Sequence, residues 1–311
     1  MASELQLVTT GDRSAPRYHQ GTIDLLDHLE ARWSRFLPDS DVTRLNLAGG
    51  HPVHVDPTTI RLLTTMIDAW HDTEQRFDPT TLPALLAAGY GASIDDPTRV
   101  THLPGDVARL GAECEPTLDD AEIDSDAGTV RLPVGLAIDA GGIGKGLAAD
   151  LAVAHILTSG ADGAMVSIGG DISMGGQSPD DGWTIHVEHP TPVRGMVANL
   201  AVGGGGVATS STRSRRWRQE GDERHHVIDP WTAAPSTTDL ASVTVIARSG
   251  WLAEAHATAA ILAGSHEVIA YLDRHDLSGV AVTNDNQVLA TDDLADLRPE
   301  PAAESMAGGL R

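Results

Sequence analysis

Apolar residues recur at three- and four-residue steps in several stretches of the chain, and this spacing predicts amphipathic helices. The helices predicted in this way cover residues 21–36, 57–75, 84–88, 250–263 and 266–274. Asp56 is placed to cap the second of them, and Pro57 suits its first turn. Residues 37–46 are predicted to form a loop with a short turn.

Short apolar or alternating runs bounded by glycine and polar residues predict strands. The predicted strands lie within residues 119–139, 164–168, 183–188, 197–208, 225–229, 242–247 and 279–283. Helices and strands are mixed without strict alternation, which predicts an α+β fold with mixed or antiparallel sheets and flanking helices.

The same pattern predicts the domain organisation. Residues 1–20 are expected to form an irregular lead-in or a first strand, and residues 21–290 a single domain. Residues 92–118, rich in Pro and Asp, are predicted to be a variable surface excursion, and residues 291–311 a frayed tail.

A glycine-rich stretch from Asp139 to Gly146 stands between a strand predicted to end at Asp139 and a helix predicted to reach about Leu157. Glycine lets the backbone approach a ligand closely, and the free N–H groups of a helix start attract anions. Lys145 adds a positive charge where a phosphate would lie, and Asp139 offers a carboxylate to a base or sugar. Since no Ser or Thr follows the Gly-Lys pair, this is not a Walker A loop. The spacing alone equally fits a tight turn with a solvated lysine.

The chain of 311 residues is 41% hydrophobic and carries a formal net charge of −23. The apolar fraction is sufficient for a proper core. The negative charge argues against binding to nucleic acid or to anionic lipid, because both are polyanions. An anionic ligand therefore requires local positive charge or a divalent cation.

Cys114 is the single cysteine, so neither an internal disulfide nor a cysteine metal cluster is possible. The first residues show no basic-then-apolar signal pattern, and no run approaches the 18 apolar residues of a membrane span. These features predict a soluble, cytoplasmic protein without membrane insertion.

Five short motifs follow one another along the chain, at Asp139–Gly146, Ser167–Asp171, Thr209–Ser211, His226–Pro230 and Ala253–Ala259. In this order they resemble the ApbE family of flavin transferases, the FAD:protein FMN transferases. Residues 38–46 and Phe77–Thr80 also match, so the resemblance covers about residues 20–285. Each motif is weak alone, and their collinear order makes the resemblance specific. It implies an ApbE-type, T-fold-like flavin transferase fold.

The resemblance also implies a reaction. FAD and Mg²⁺ bind, a threonine or serine of an acceptor protein attacks the FMN-side phosphorus, and AMP leaves. Cleavage of a pyrophosphate requires a cation for its charge, backbone donors for its oxygens and a base for the hydroxyl. Three alternatives stay open: an FAD pyrophosphatase giving FMN and AMP, a non-catalytic FAD-binding protein, and a protein that binds an unrelated nucleotide.

The resemblance places roles on ten residues. The FAD-binding residues would be Phe36, Ala88, Gly89, Tyr90, Asp139 and Lys145. The magnesium ligands would be the carbonyl of Gly142 and the side chains of Glu254 and Thr258. His226 would be the base or a partner of the acceptor site. Rings at Phe36 and Tyr90 could stack on the flavin, and Ala88 stands where the family often has tryptophan. The residues themselves also permit a core role for Phe36 and a purely structural one for His226.

Glu254 and Thr258 lie four residues apart, on one helical face. A carboxylate, a hydroxyl and a carbonyl form the all-oxygen set that a hard cation prefers. Glu254 stands where the family has aspartate, so Glu254→Asp is expected to preserve or improve activity; a solvated helix acid is the alternative. The basic island at Arg213, Arg215 and Arg216 could hold a phosphate or acidic acceptor residues, or could be a basic strand edge.

Overall fold

A computed structural model describes residues 4–11, 16–93, 96–103, 116–191, 194–219 and 221–297. Its helices are α1 (Pro16–Trp33), α2 (Asp41–Leu47), α3 (Pro57–Asp72), α4 (Leu82–Ala87), α5 (Gly144–Thr158), α6 (Gly250–Ala263) and α7 (Val268–Arg274). Its strands are β1 (Leu5–Thr10), β2 (Val53–His54), β3 (Glu122–Asp124), β4 (Thr129–Arg131), β5 (Gly163–Ile168), β6 (Asp171–Gly176), β7 (Trp183–Glu188), β8 (Met196–Val202), β9 (Gly205–Ser211), β10 (Arg216–Gln219), β11 (Asp222–His225), β12 (Ile228–Asp229), β13 (Ala234–Pro235), β14 (Leu240–Ala247), β15 (Ser278–Thr283) and β16 (Val288–Ala290).

Within these residues, seven strands form the central sheet in the order β1-β5-β6-β9-β14-β15-β16, and each neighbouring pair is antiparallel. Smaller sheets pair β2-β4-β3, β7-β8, β10-β11 and β12-β13. Antiparallel strands joined by hairpins, with helices between them, give the α+β architecture that the mixed pattern predicts. The predicted fold class is therefore confirmed.

Both faces of the central sheet are covered. Helices α5 and α6 pack on one face, where Ile156 of α5 shares a core with Val166 of β5. The hairpin β7-β8 covers the opposite face, where Trp183 packs with Val207 and Val280 of the sheet. Strand β7 accordingly alternates buried and exposed residues, which is the period-two pattern of a strand with one wet face.

Helices α5 and α6 cross at their first turns with their backbones in contact. A Cβ on Gly146 would collide with the carbonyl of Gly250, so glycine is required at this close approach. Asp150 of α5 caps α6 across the crossing, because it accepts hydrogen bonds from the N–H groups of Gly250 at 2.8 Å and Trp251 at 3.0 Å. This crossing brings the Asp139–Gly146 turn next to Glu254.

The prediction of a strand that ends at Asp139 is wrong. Residues 136–140 have no regular secondary structure and belong to no sheet. The amide of Asn46 instead pairs with both backbone groups of Ile138, accepting from its N–H at 2.8 Å and donating to its carbonyl at 2.9 Å. The N–H of Asp139 donates to the carbonyl of Pro79 at 2.9 Å. A side chain 92 residues away thus replaces a strand ladder.

Other elements differ from the prediction in extent. The loop predicted over 37–46 contains α2, because Ser40 accepts a hydrogen bond from the Thr43 N–H at 3.1 Å and caps the helix. The strand predicted over 225–229 is interrupted between β11 and β12, and β6 was not predicted. Helix α1 begins at Pro16 instead of residue 21.

Each of the two predicted surface segments includes residues that the structure describes. Thr101, inside the predicted excursion 92–118, is buried beside Arg35, while residues 94–95 and 104–115, with Cys114, lie outside the described residues. The tail predicted to fray from residue 291 begins with a 3₁₀ helix over Asp292–Leu297, and residues 298–311 lie outside the described residues. No described helix is both long and apolar enough to cross a membrane. The cytoplasmic location stays a prediction.

Candidate active site

A cavity of about 250 Å³ opens where the first turns of α5 and α6 meet the ends of β9 and β12. Seven of the ten predicted site residues line it, namely Tyr90, Asp139, Gly142, Lys145, His226, Glu254 and Thr258. These residues come from segments widely separated in sequence, and the fold brings them to one cavity. Phe36, Ala88 and Gly89 lie beside the cavity and are absent from its lining.

Oxygen atoms cluster around Thr258. Its hydroxyl shares a hydrogen bond with the Ser210 hydroxyl at 3.1 Å and donates to the Glu254 carbonyl at 3.2 Å. Gly142 faces the same hydroxyl: a Cβ on it would lie 3.4 Å from Thr258 Oγ1 and 3.1 Å from the Phe77 ring. Since Gly142 also has a φ of +82°, a larger residue would be both strained and crowded there.

Lys145, the single lysine of the chain, lies between two buried carboxylates. Its ammonium pairs with Asp171 and with Glu254 Oε1, the second contact at 3.3 Å. Glu254 Oε2 accepts a hydrogen bond from the Gly146 N–H at 2.7 Å. An N–H group in the first turn of α5 therefore binds a carboxylate of the protein itself. Glu254 is only 4% exposed, which rules out the solvated helix acid, and Lys145 is likewise no free surface lysine.

Burial also affects the proton affinity of this cluster. Burial lowers the pKa of the Lys145 ammonium, Glu254 opposes that shift, and Arg215 reinforces it. Asp78, also in the cavity wall, has its pKa raised by burial, although it accepts hydrogen bonds from the Thr80 N–H at 2.8 Å and hydroxyl at 2.7 Å. The cavity thus contains charged groups of both signs in a poorly hydrated setting.

Asp139 is held by a buried arginine. Its Oδ2 lies 3.1 Å from Nε of Arg35, whose side chain is only 3% exposed. Arg35 also donates to the Thr101 hydroxyl at 2.5 Å and to the Tyr90 carbonyl at 3.3 Å. Its guanidinium carbon lies 4.1 Å from the ring centroid of Phe36 and 5.1 Å from that of Tyr90. One arginine therefore supports both the carboxylate and the neighbouring aromatic rings.

Three aromatic rings form a wall beside the cavity. Trp217 of β10 stacks on Tyr90, with 5.2 Å between centroids and 16° between planes, and Phe36 meets Tyr90 edge-on at 6.5 Å. The Trp217 indole N–H donates to the carbonyl of Ala88 at 2.6 Å. Although Ala88, at the end of α4, lacks a ring, Trp217 of β10 thus packs beside it. Gly89, next along the chain, faces Gln219 and Trp217.

His226 borders the cavity on the β12 side. Burial, with Arg215 and Lys145 nearby, lowers the pKa of His226 to about 3, so its ring is neutral at pH 7. Its Nδ1 is buried and has no hydrogen-bond partner among the described residues. Asp229, three residues on, accepts from the Trp231 N–H at 2.9 Å, which is a turn-capping role.

The three arginines of the basic island have different surroundings. Arg213 donates to the Asn284 side chain at 2.9 Å, and Arg216 pairs with Glu223. Arg215 lines the cavity, and its backbone adopts a left-handed φ of +47°. A non-glycine residue in this conformation is uncommon, and such strain concentrates at functional sites.

Sequence reasoning missed several contributors to the site. Asp78 and Asp171 lie within two of the matching motifs and line the cavity. Their carboxylates were the signal in the sequence that could have marked them as site residues. Arg35 and Trp217 lie in no motif, and their importance depends on contacts with residues 55 to 129 positions away.

The profile of the ApbE family matches residues 1–282, so the chain belongs to the ApbE family. Two solved structures share its fold: the ApbE protein of Thermotoga maritima MSB8, with a TM-score of 0.80 and 23% identity over 96% of both chains, and the apo flavinyl transferase ApbE of Pseudomonas stutzeri, with a TM-score of 0.74 and 22% identity over 96% of this chain and 98% of that one.

Curated relatives carry a more specific name. An FAD:protein FMN transferase of Vibrio cholerae serotype O1 is 26% identical over 267 residues, which covers 85% of this chain and 75% of the relative. One from Rhodobacter capsulatus is 28% identical over 266 residues, 84% of this chain. The chain spans half the length of that second relative.

Proposed function

We propose that this protein transfers FMN from FAD to a threonine or serine hydroxyl of an acceptor protein, with release of AMP and in a magnesium-dependent reaction. The observation that carries the proposal is the convergence of the Asp139–Gly146 turn, the Lys145–Asp171–Glu254 cluster and the Ser210–Thr258 hydroxyl pair on one cavity. Membership of the ApbE family and the names of the relatives support the same reaction.

In the proposed step, the acceptor hydroxyl oxygen attacks the FMN-side phosphorus. The bond from that phosphorus to the bridging oxygen breaks, and AMP leaves with the electron pair. Neutral His226, which lines the cavity, takes the hydroxyl proton. Arg215 and Lys145 place positive charge where the pyrophosphate oxygens gain negative charge. Tyr90 and the Arg35-supported rings position the flavin.

The donor set around Gly142 suits a hard divalent cation, because it consists of oxygen atoms. The Gly142 carbonyl, the Thr258 hydroxyl and Glu254 are the residues that would hold Mg²⁺. Glu254 already accepts from Gly146 and pairs with Lys145, but a carboxylate has about four lone-pair sites, so acceptor capacity remains. When bound, magnesium neutralises pyrophosphate charge and stabilises the leaving phosphate.

The test is incubation of the full chain with FAD, Mg²⁺ and a candidate acceptor, followed by mass spectrometry of the acceptor and quantification of AMP. A covalent FMN adduct on one Thr or Ser, with AMP in equal amount, supports the proposal. The acceptor variant with alanine at that position is the control. AMP and free FMN without an adduct indicate the pyrophosphatase, and bound but intact FAD indicates the non-catalytic protein; either result overturns transfer.

The pH dependence of the reaction tests the role of His226. A general base acts in its deprotonated form, and the lowered pKa of about 3 means that this form predominates above about pH 4 in the free protein. The profile of kcat/KM for FAD should therefore show no acidic limb from His226 between about pH 5 and 8, since kcat/KM reports free-enzyme ionisations. His226→Ala should lower kcat about 10²–10⁴-fold. An acidic limb near pH 6 that disappears in His226→Ala would contradict this assignment.

Removing Lys145 should weaken FAD binding. The Lys145→Met variant leaves Asp171 and Glu254 facing each other and the FAD phosphates without the intervening charge. We expect a loss of affinity of about tenfold or more, equivalent to ~1.4 kcal/mol, measured by calorimetric titration with FAD. Arg213→Met, which removes a cation directed at Asn284 outside the cavity, is the matched control. Equal affinity in both variants would mean that Lys145 serves only the protein's internal ion pairs.

A further inference from the structure

A second cluster of polar side chains lies outside the cavity, where three helices end or cross. Asp72 is the last residue of α3, His256 lies within α6, and His275 directly follows α7. One potential ligand atom from each of the three lies within 4.8 Å of the other two. None of them lines the cavity, and the proposed reaction uses none of them.

The spacing of these atoms suits a small divalent metal. His256 Nε2 and Asp72 Oδ2 are 3.4 Å apart. Tetrahedral zinc, with bonds of about 2.0–2.1 Å to nitrogen and oxygen, separates its ligand atoms by about 3.3 Å. His275 Nε2 is buried and has no hydrogen-bond partner among the described residues, and Glu74 Oε1 lies 3.7 Å from it. Glu74 lies outside the three-residue group, so water would take the fourth position of a tetrahedral ion.

The surroundings of His256 are those of a metal-binding histidine. Its Nδ1 lies 2.7 Å from the hydroxyl of Tyr271, which is fully buried. A metal-ligating imidazole usually donates its second ring N–H to such a partner, which sets the tautomer and the ring orientation. Asp72 is 45% exposed, so an ion can enter from solvent. The nearby cations Arg76 and Arg274 are both paired with Glu267.

We propose that Asp72, His256 and His275 form a site for a divalent transition metal of the zinc class. Two imidazoles and one carboxylate select zinc-class metals over magnesium, which prefers oxygen ligands alone. The bound metal ties the ends of α3 and α7 to the middle of α6, the helix that carries Glu254 and Thr258. This inference is independent of the proposed flavin transfer.

The test is titration of the chelator-treated full chain with Zn²⁺ in the presence of excess Mg²⁺, which occupies the oxygen site. Calorimetry and metal analysis should give one zinc per chain, and the melting temperature should rise with zinc concentration. His275→Ala and Asp72→Asn should each lower zinc affinity at least about tenfold. Co²⁺ should give the visible absorption of a tetrahedral complex in the unmodified chain and lose it in both variants.

The chain offers a matched control in a second histidine–aspartate pair. His71 and Asp119 are 2.8 Å apart, and both are largely exposed. His71→Ala should therefore leave zinc affinity unchanged. Zinc binding that is absent from the unmodified chain, or that is equal in the unmodified chain and in His275→Ala and Asp72→Asn, overturns the proposal. Asp72→Asn keeps the test valid if His275→Ala folds poorly, because Asp72 is at the surface.

Discussion

Glu254→Ala is expected to abolish flavin transfer and to destabilise the fold, whereas Glu254→Gln should abolish transfer at a smaller cost in stability. The Glu254 carboxylate accepts from the Gly146 N–H and pairs with Lys145 in a buried setting. Alanine removes both contacts, at a cost of about 3 kcal/mol in the free energy of unfolding. Glutamine keeps an acceptor for Gly146 but removes the charge needed to hold a cation.

Transfer rate over a magnesium titration and urea unfolding measure the two effects separately. We expect a loss of at least about 100-fold in transfer for both variants, as for removal of an electrostatic stabiliser. Glu122→Gln, which removes a surface carboxylate paired with Arg131, is the control for transfer. Full transfer activity in Glu254→Gln would show that this carboxylate holds no catalytic metal.

The structure reverses one expectation for this position. Because the family has aspartate there, the sequence predicts that Glu254→Asp preserves or improves activity. Glu254 reaches Gly146 at 2.7 Å and Lys145 at 3.3 Å, and a side chain shorter by one methylene cannot keep both contacts without movement of α6. We therefore expect lower activity from Glu254→Asp.

Arg35→Met is expected to have the second large effect, on stability and on FAD affinity together. Arg35 is buried, pairs with Asp139 and donates to Thr101 and the Tyr90 carbonyl. Breaking a buried ion pair by removal of one partner costs about 3–5 kcal/mol, because the other charge stays buried without compensation. The rings of Phe36 and Tyr90 also lose their contact with the guanidinium, which holds them beside the cavity. The Kd for FAD should therefore rise about tenfold or more.

Urea unfolding and titration with FAD provide the measurements for Arg35. Arg131→Met is the matched control, because Arg131 pairs with Glu122 at the surface and such pairs contribute at most about 1 kcal/mol. Arg35→Lys keeps the positive charge and loses the planar guanidinium. Its free energy of unfolding should therefore lie between those of Arg35→Met and Arg131→Met. If Arg35→Met were as stable as Arg131→Met, the Asp139–Arg35 pair would not support the turn.

Local sequence signals predicted the elements that carry the chemistry. The apolar period and the Asp56 cap place α3, and Asp56 does accept from the Thr58 N–H at 2.9 Å. The α6 bounds are as predicted, and its four-residue spacing places Glu254 and Thr258 together. Such signals are reliable because capping and periodicity depend on residues within one or two turns. Fold class and family membership also follow from them, through the order of the motifs.

Only the tertiary structure determined which side chains contact one another. The sequence marks Lys145 and Glu254 as ligands for FAD and magnesium, and the helix crossing at Gly146 makes them partners. Asn46 takes the place of a sheet partner for Ile138, and Trp217 supplies a ring beside Ala88 from 129 residues away. These contacts depend on how helices and strands pack in three dimensions, and hydrophobic periodicity specifies which face is buried but not which residue it meets.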